Sequence, residues 1–284
     1  MGAELKEQLI MGKSALGGHS ERLKNAEVWA TDVDTVNICN RDDLIHQIAQ
    51  FRPDVVFHCA ALTNVDGCED VPEQAELVNG EAVKYVAQGC EEAKAKLVMI
   101  STDYVFSGEK GFAYAENDPC DPQSAYGRSK RLGEQYALEH CSRTFVVRTA
   151  WLYGLHGHNF VKTILKKGRE QGFLRVVNDQ FGNPTNAEDL AHHILRLAVT
   201  DRYGIYHCTG RGVCSWYEFA CAIAELAGLS CRIMPCTSQE YPQKAKRPAY
   251  SALDHRSLQA AVGDDMRPWR EALKDFIRKL EESA

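Results

Sequence analysis

The sequence predicts an α/β protein, a doubly wound parallel sheet followed by a smaller C-terminal lobe. Three observations carry that prediction. Short apolar runs ending in polar or small residues alternate with amphipathic stretches over the first half of the chain, the rhythm of a parallel sheet covered by helices on both faces. Past Ala150 the rhythm loosens into shorter elements. The 284 residues, 44% hydrophobic and 25% charged, suffice to bury one large core with a lobe attached. The division is placed at 1–150 for a cofactor domain and 151–284 for a substrate lobe, interleaved with it.

The elements follow in order. Residues 1–11 read as a helix, with Leu5, Leu9 and Ile10 among charged neighbours, and 12–25 as a loop and amphipathic turn with Gly17-Gly18. Val28-Trp29-Ala30, within 27–32, predicts a short strand ending at Asp32. Residues 41–51 predict a helix with Asp42 and Asp43 in its first turn. A strand at 54–60 precedes a long helix at 72–95, opened by Pro72. Strands at 96–100 and 144–149 flank a helix at 124–141. Beyond these, helices are expected at 159–170, 187–199, 215–227, 254–261 and 267–282, and strands at 174–177, 205–208 and 231–235. Ser215 is a natural N-cap.

Composition excludes several classes. A net charge of −6 provides no basic field for nucleic acid or an anionic membrane. No apolar run approaches the ~20 residues of a membrane-crossing helix, and Met1-Gly2-Ala3-Glu4 is no signal-peptide start. The 11 cysteines, among them Cys59, Cys208 and Cys221, are scattered without a Cys-x-x-Cys pair. They read as buried or free thiols of a reducing cytoplasm, and no zinc-ligand cluster is visible.

The stretch 101–130 concentrates the chemistry. Leu97-Val98-Met99-Ile100 ends abruptly in Ser101-Thr102-Asp103-Tyr104-Val105-Phe106, and a Gly- and Pro-containing loop leads into Ser124-Ala125-Tyr126-Gly127-Arg128-Ser129-Lys130. Tyr126 and Lys130, four apart on a helix, share a face. A phenol ordinarily ionises near pH ~10, and a neighbouring ammonium lowers that value. The pair is therefore expected to act as a general acid/base on a carbonyl or hydroxyl, with Thr102 hydrogen-bonding the same oxygen. Tyr-x-x-x-Lys alone also describes a surface helix pair; its place one loop beyond a strand end is what favours chemistry.

These segments, with Arg148-Thr149-Ala150-Trp151-Leu152-Tyr153-Gly154, Asn178-Asp179-Gln180-Phe181-Gly182-Asn183-Pro184-Thr185 and Lys246-Arg247-Pro248, resemble the extended short-chain dehydrogenase/reductase superfamily and, within it, the dTDP-4-dehydrorhamnose reductase family. The resemblance implies a Rossmann-like NAD(P)-binding fold. It implies catalytic roles for Thr102, Tyr126 and Lys130, with Tyr126 and Lys130 also meeting the cofactor. It further implies cofactor contacts at Gly2, Asp32, Ala60, Ala61, Thr63 and Asn79, and substrate contacts at Asp103, Tyr104, Trp151 and Arg247. Asp32 would meet the adenosine ribose, Trp151 would pack on the sugar ring, and Arg247 would meet the nucleotide diphosphate. The implied cofactor is NADPH or NADH, with Mg²⁺ known only at family level. Glu188 and Asp189 stand where some relatives hold it, but read here as a solvated helix start. The resemblance admits a homodimer. His58 and Cys59 depart from the family's Asn-Ala-Ala-Ala-x-Thr, and His58 reads as a packed strand residue.

One part of the family pattern is not seen. A Gly-rich turn normally joins the first strand to the first helix and lets a pyrophosphate approach its N-terminus. Here Met1-Gly2-Ala3-Glu4-Leu5 already lies in the helix pattern, so Gly2 matches the last glycine of that turn. The expectation is a reading frame truncated at its start, with strands two and three unable to pair with strand four, a marginal fold and weak cofactor binding. The implied activity is NAD(P)H-dependent reduction of dTDP-4-dehydro-L-rhamnose. A nucleotide-sugar epimerase or dehydratase of the same superfamily remains open, although Tyr104 stands where dehydratases place an acid. So does a non-catalytic regulatory subunit of the same fold.

Overall fold

The computed structural model describes residues 1–282. Its centre is a four-stranded parallel sheet in the order Gly204–His207, Thr144–Thr149, Lys96–Thr102, Val55–His58. Leu97 pairs with Thr144, Val55 with Lys96 and Gly204 with Phe145. Parallel strands buried on both faces read as continuous apolar runs, as Leu97-Val98-Met99 does. Alternate side chains serve opposite layers. Leu97 and Met99 join Leu44, Ile48, Val83, Val86 and Ala137 on one face. Val98, Phe145 and Val147 join Leu5, Leu190, Ile194 and Leu195 on the other. The sheet is thus doubly wound, by helices Arg41–Phe51, Ala82–Ala93 and Ala125–His140 on one side and Gly2–Met11 and Ala187–Ala198 on the other.

A second core lies beyond Ala150. Val161, Ile164, Leu165, Phe219, Ile223, Leu273 and Phe276 pack around the parallel pair Phe173–Val177 and Arg232–Cys236. The chain returns to the main sheet between these elements, through Ala187–Ala198 and Gly204–His207, so the two cores are interleaved in sequence.

Three expectations are corrected. Residues 27–32 form no strand: they lie outside regular structure, with Trp29 44% exposed and packed on Phe51 at 5.2 Å between ring centres. A strand needs a neighbour to take its N–H and C=O groups, and among the described residues this segment has none. The strand Val55–His58, expected to be unable to pair, pairs directly with Lys96–Thr102 and forms the sheet edge, Val55, Val56 and Phe57 half-buried. The helix expected at 72–95 is broken into Pro72–Glu76, a π-helical turn at Leu77–Glu81 and Ala82–Ala93. The turn carries Asn79 inward, and π-turns concentrate at functional sites. A short helix at Val65–Asp70, capped by Asn64, precedes them. Residues 12–25 hold a small antiparallel hairpin, Lys13–Ser14 with Gly17–Gly18.

Candidate active site

The carboxyl end of the Lys96–Thr102 strand meets the first turns of Ala125–His140. Ser124 caps that helix, accepting from the Gly127 N–H at 3.1 Å, and Glu69 accepts from the Ala125 N–H at 2.7 Å. Only glycine fits at 127, because a Cβ there would lie 2.3 Å from the Tyr104 carbonyl oxygen. This close approach brings Tyr126 against the loop after the strand: its ring lies edge-on to Tyr104, centres 5.6 Å apart. Lys130 Nζ donates to the Ile100 carbonyl at 2.7 Å, and the Thr102 hydroxyl faces the Tyr126 phenol. The strand end thus meets this helix twice, Thr102 at Tyr126 and Ile100 at Lys130.

The charge states differ from expectation. Burial pushes the Tyr126 phenol well above its ordinary 10; the hydrogen bond from Thr102 opposes this, and Asp103 adds to it. Lys130 does not bring the phenol below its usual range. Burial instead lowers Lys130 itself to about 8, against the pull of Glu134 and Cys59. The phenol is thus protonated at neutral pH, the form a proton donor requires, and Lys130 is largely an ammonium. Asp103, beside Thr102 and accepting from its hydroxyl at 3.0 Å, is raised by burial to about 6.

The residues expected at the cofactor are placed unevenly. Ala60, Ala61 and Thr63 follow the Val55–His58 strand in a loop, with Ala60 and Thr63 exposed. Asn79 is fully buried and makes only internal bonds. Its Oδ1 accepts from Leu62 N–H, and its Nδ2 donates to the Leu62 carbonyl and to Ser129 Oγ, both at 3.0 Å. It ties the loop at Leu62 to the helix that carries Tyr126. Gly2 opens the helix Gly2–Met11, whose N-terminus has no side-chain cap and nothing within 4 Å of where a Cβ would sit. Asp32, expected at a strand end, is an exposed turn residue whose carboxylate accepts from the Val33 N–H. His58 is buried with Nε2 unpartnered, and burial together with Lys130 lowers it to about 3; it is a neutral packed residue, as read. Lys130 fits a dinucleotide's polar groups, since it retains N–H groups beyond the one given to Ile100.

Of the expected substrate residues, Tyr104 lies beside Tyr126 and is joined to Arg247, whereas Trp151 belongs to the second core. Arg247 donates through Nη1 to the Tyr104 hydroxyl at 2.9 Å and pairs through Nη2 with Asp66 at 3.0 Å. Asp66 also accepts from the Ala245 N–H at 3.0 Å, tying this late segment to the helix Val65–Asp70. Gly108, at φ +82°, lets Pro248 pack where a side chain would come within 2.3 Å of it. Burial raises the Tyr104 phenol to about 12, against the neighbouring Arg247. Trp151 adopts φ +47°, rare for a bulky residue, and stacks on Trp216 at 3.6 Å with an 8° tilt. Gly182 also lies close to the ring, where a Cβ would come within 2.7 Å of it. Trp216 escaped the sequence reading because no local spacing ties it to Trp151.

The reading of Glu188 and Asp189 as a solvated helix start is corrected. Asp189 is 1% exposed and grips Arg267 Nη2 and Nε, while Glu188 takes Lys279 at 2.6 Å. Arg267 and Lys279 lie about 80–90 residues further on, too far for local spacing to reveal. All 11 cysteines are unpaired, Cys208 buried and Cys59 and Cys221 half-buried. No helix among the described residues is long and apolar enough to cross a membrane.

A doubly wound parallel sheet with a Thr–Tyr–Lys constellation at the carboxyl end of a strand defines a short-chain dehydrogenase/reductase fold. The RmlD substrate binding domain profile matches residues 9–282. The chain belongs to that family. It is 43% identical over 260 residues to the spore coat polysaccharide biosynthesis protein SpsK of Bacillus subtilis, covering 91% of each chain. A solved dTDP-4-dehydrorhamnose reductase from Clostridium acetobutylicum superposes with TM-score 0.92 at 41% identity, covering 98% of this chain and 95% of that one. Another, from Bacillus anthracis in complex with NADP, superposes with TM-score 0.90 at 36% identity, covering 97% and 95%.

Proposed function

We propose that this protein is an NAD(P)H-dependent oxidoreductase that reduces the C4 ketone of dTDP-4-dehydro-L-rhamnose to give dTDP-L-rhamnose, within nucleotide-sugar biosynthesis in the cytoplasm. The observation that carries the reading is the Tyr126 phenol facing Thr102 at a strand end, one helical turn before Lys130, which is seated on the Ile100 carbonyl of the same strand. When bound, the reduced nicotinamide supplies a hydride. Thr102 orients the ketone oxygen, and Tyr126 gives its proton to that oxygen as it becomes an alkoxide, a transfer worth ~10²–10⁴-fold. Lys130, an ammonium below about pH 8, stabilises the phenolate left behind. Residues 1–150 serve the cofactor and 151–284 the substrate. The separate core around Phe219 supports that division. Asp103, Tyr104, Trp151 and Arg247 form the sugar-nucleotide side, supported by the Arg247–Tyr104 bond that brings the late segment to the strand end. Ala60, Ala61, Thr63 and Gly2 serve the cofactor, with Asn79 holding their loop through Leu62.

Tyr126→Phe tests the assignment. Turnover of dTDP-4-keto-6-deoxy sugar with NADPH should be abolished, while NADPH binding by calorimetry stays unchanged. Most of the activity surviving in Tyr126→Phe would remove Tyr126 as donor. Identification of the product separates reduction from epimerisation or dehydration.

A further inference from the structure

The helix face that carries Tyr126 and Lys130 continues, four residues on, to Glu134. The mechanism above gives Glu134 no part, yet its carboxylate is fully buried and takes four donors. Ser101 Oγ donates at 2.6 Å; Arg148 Nε, Arg148 Nη2 and Arg131 Nη1 each donate at 2.8 Å. Arg148, 1% exposed, already forks both carboxylate oxygens and by itself accounts for a buried helix–strand ion pair. Ser101 adds something else. It stands between Ile100, whose carbonyl seats Lys130, and Thr102, which faces Tyr126. Three successive strand residues thus meet three residues of one helix face.

The charges around Lys130 point the same way. From the Val55–His58 strand and the residue after it, His58 and Cys59 face Lys130. Burial lowers His58 to about 3 and raises Cys59 to about 11, so both are neutral at pH 7. From the Lys96–Thr102 strand comes the neutral Ile100 carbonyl. Glu134, on Lys130's own helix, is the anion: burial alone would raise it, but Arg148, Ser101 and Arg131 hold it below the usual carboxylate range.

We propose that Glu134 is a positioning residue of the reduction. Its carboxylate fixes Ser101, and through it the seats of Lys130 and Tyr126 on the strand end, and its charge keeps Lys130 an ammonium within the buried site. The inference rests on the reductase reading for its kinetic consequence, but not for its electrostatic one.

The test uses the full chain labelled with ¹³Cε-lysine, the Lys130 signal identified by its loss in Lys130→Met. In Glu134→Gln the Lys130 titration midpoint should fall by about half a pH unit or more. An unchanged midpoint overturns the proposal. This readout needs no turnover, so an inactive wild type would defeat the reductase reading while leaving the Glu134 inference to be decided on its own. Should Glu134→Gln not fold by circular dichroism, Ser101→Ala decides, since it leaves the Arg148–Glu134 pair intact. Its kcat should fall ~10-fold with KM within twofold, as expected for a small misplacement of reacting groups, and Ser101→Thr should restore it. Wild-type kcat in Ser101→Ala overturns the positioning role.

Discussion

Asn79 holds the Leu62 peptide from both sides, its Oδ1 accepting from the Leu62 N–H at 2.8 Å and its Nδ2 donating to the Leu62 carbonyl at 3.0 Å. The same amide reaches Ser129, next to Lys130, so one side chain sets the loop 60–63 against the catalytic helix. Asn79→Ala leaves these buried groups without partners, a loss of about 1–3 kcal/mol. Urea unfolding should show a lower midpoint with an unchanged slope, and NADPH affinity should fall with it. An unaltered midpoint would contradict the clamp.

Lys130 predicts a pH dependence of stability. Its value is about 8 in the folded chain against an ordinary 10.5, so between these the unfolded state binds more protons. Stability therefore rises with pH across that window. Comparing wild type with Lys130→Met by urea unfolding, the difference should shift in favour of wild type by about 2 kcal/mol between pH 7.5 and 9.5. Activity should move the opposite way, falling above about pH 8 as the ammonium is lost. A flat difference would place Lys130 near its ordinary value.

Arg247 bridges Tyr104 and Asp66 through separate nitrogens. Lysine cannot reproduce that fork. Arg247→Lys should raise KM for the nucleotide sugar about 10-fold and change kcat little, as expected for a contact that binds ground and transition states alike. Steady-state kinetics at saturating NADPH checks this, and an unchanged KM would remove the proposed substrate role of Arg247.

The pair Asp189–Arg267 is buried on the acid's side, at 1% side-chain exposure against 17% for the arginine. Arg267→Met leaves Asp189 uncompensated and should cost about 3–5 kcal/mol, whereas Asp189→Leu with Arg267→Met should recover much of the loss. Urea unfolding of the single and double variants gives both numbers. Equal losses in the two would show that packing, not charge, dominates there.

What the sequence determined by itself is local. The helix Arg41–Phe51 and the strand Thr144–Thr149 fall on their predicted bounds, the strand predicted at 96–100 runs on to Thr102, and the Tyr126–Lys130 face and the Ser215 cap follow from spacing within a few residues. The tertiary structure decided what depends on a distant partner. Val28-Trp29-Ala30 has strand propensity but pairs with no strand among the described residues, so it stays irregular, while Val55–His58 finds Lys96–Thr102. Asn79 lies in a π-helical turn that interrupts the helix and bonds Leu62 and Ser129, partners far away in sequence. Tyr126 and Lys130 were legible as a pair, but their charge states were not. Burial is the summed effect of everything packed around a group, and it outweighs the one neighbour that spacing reveals.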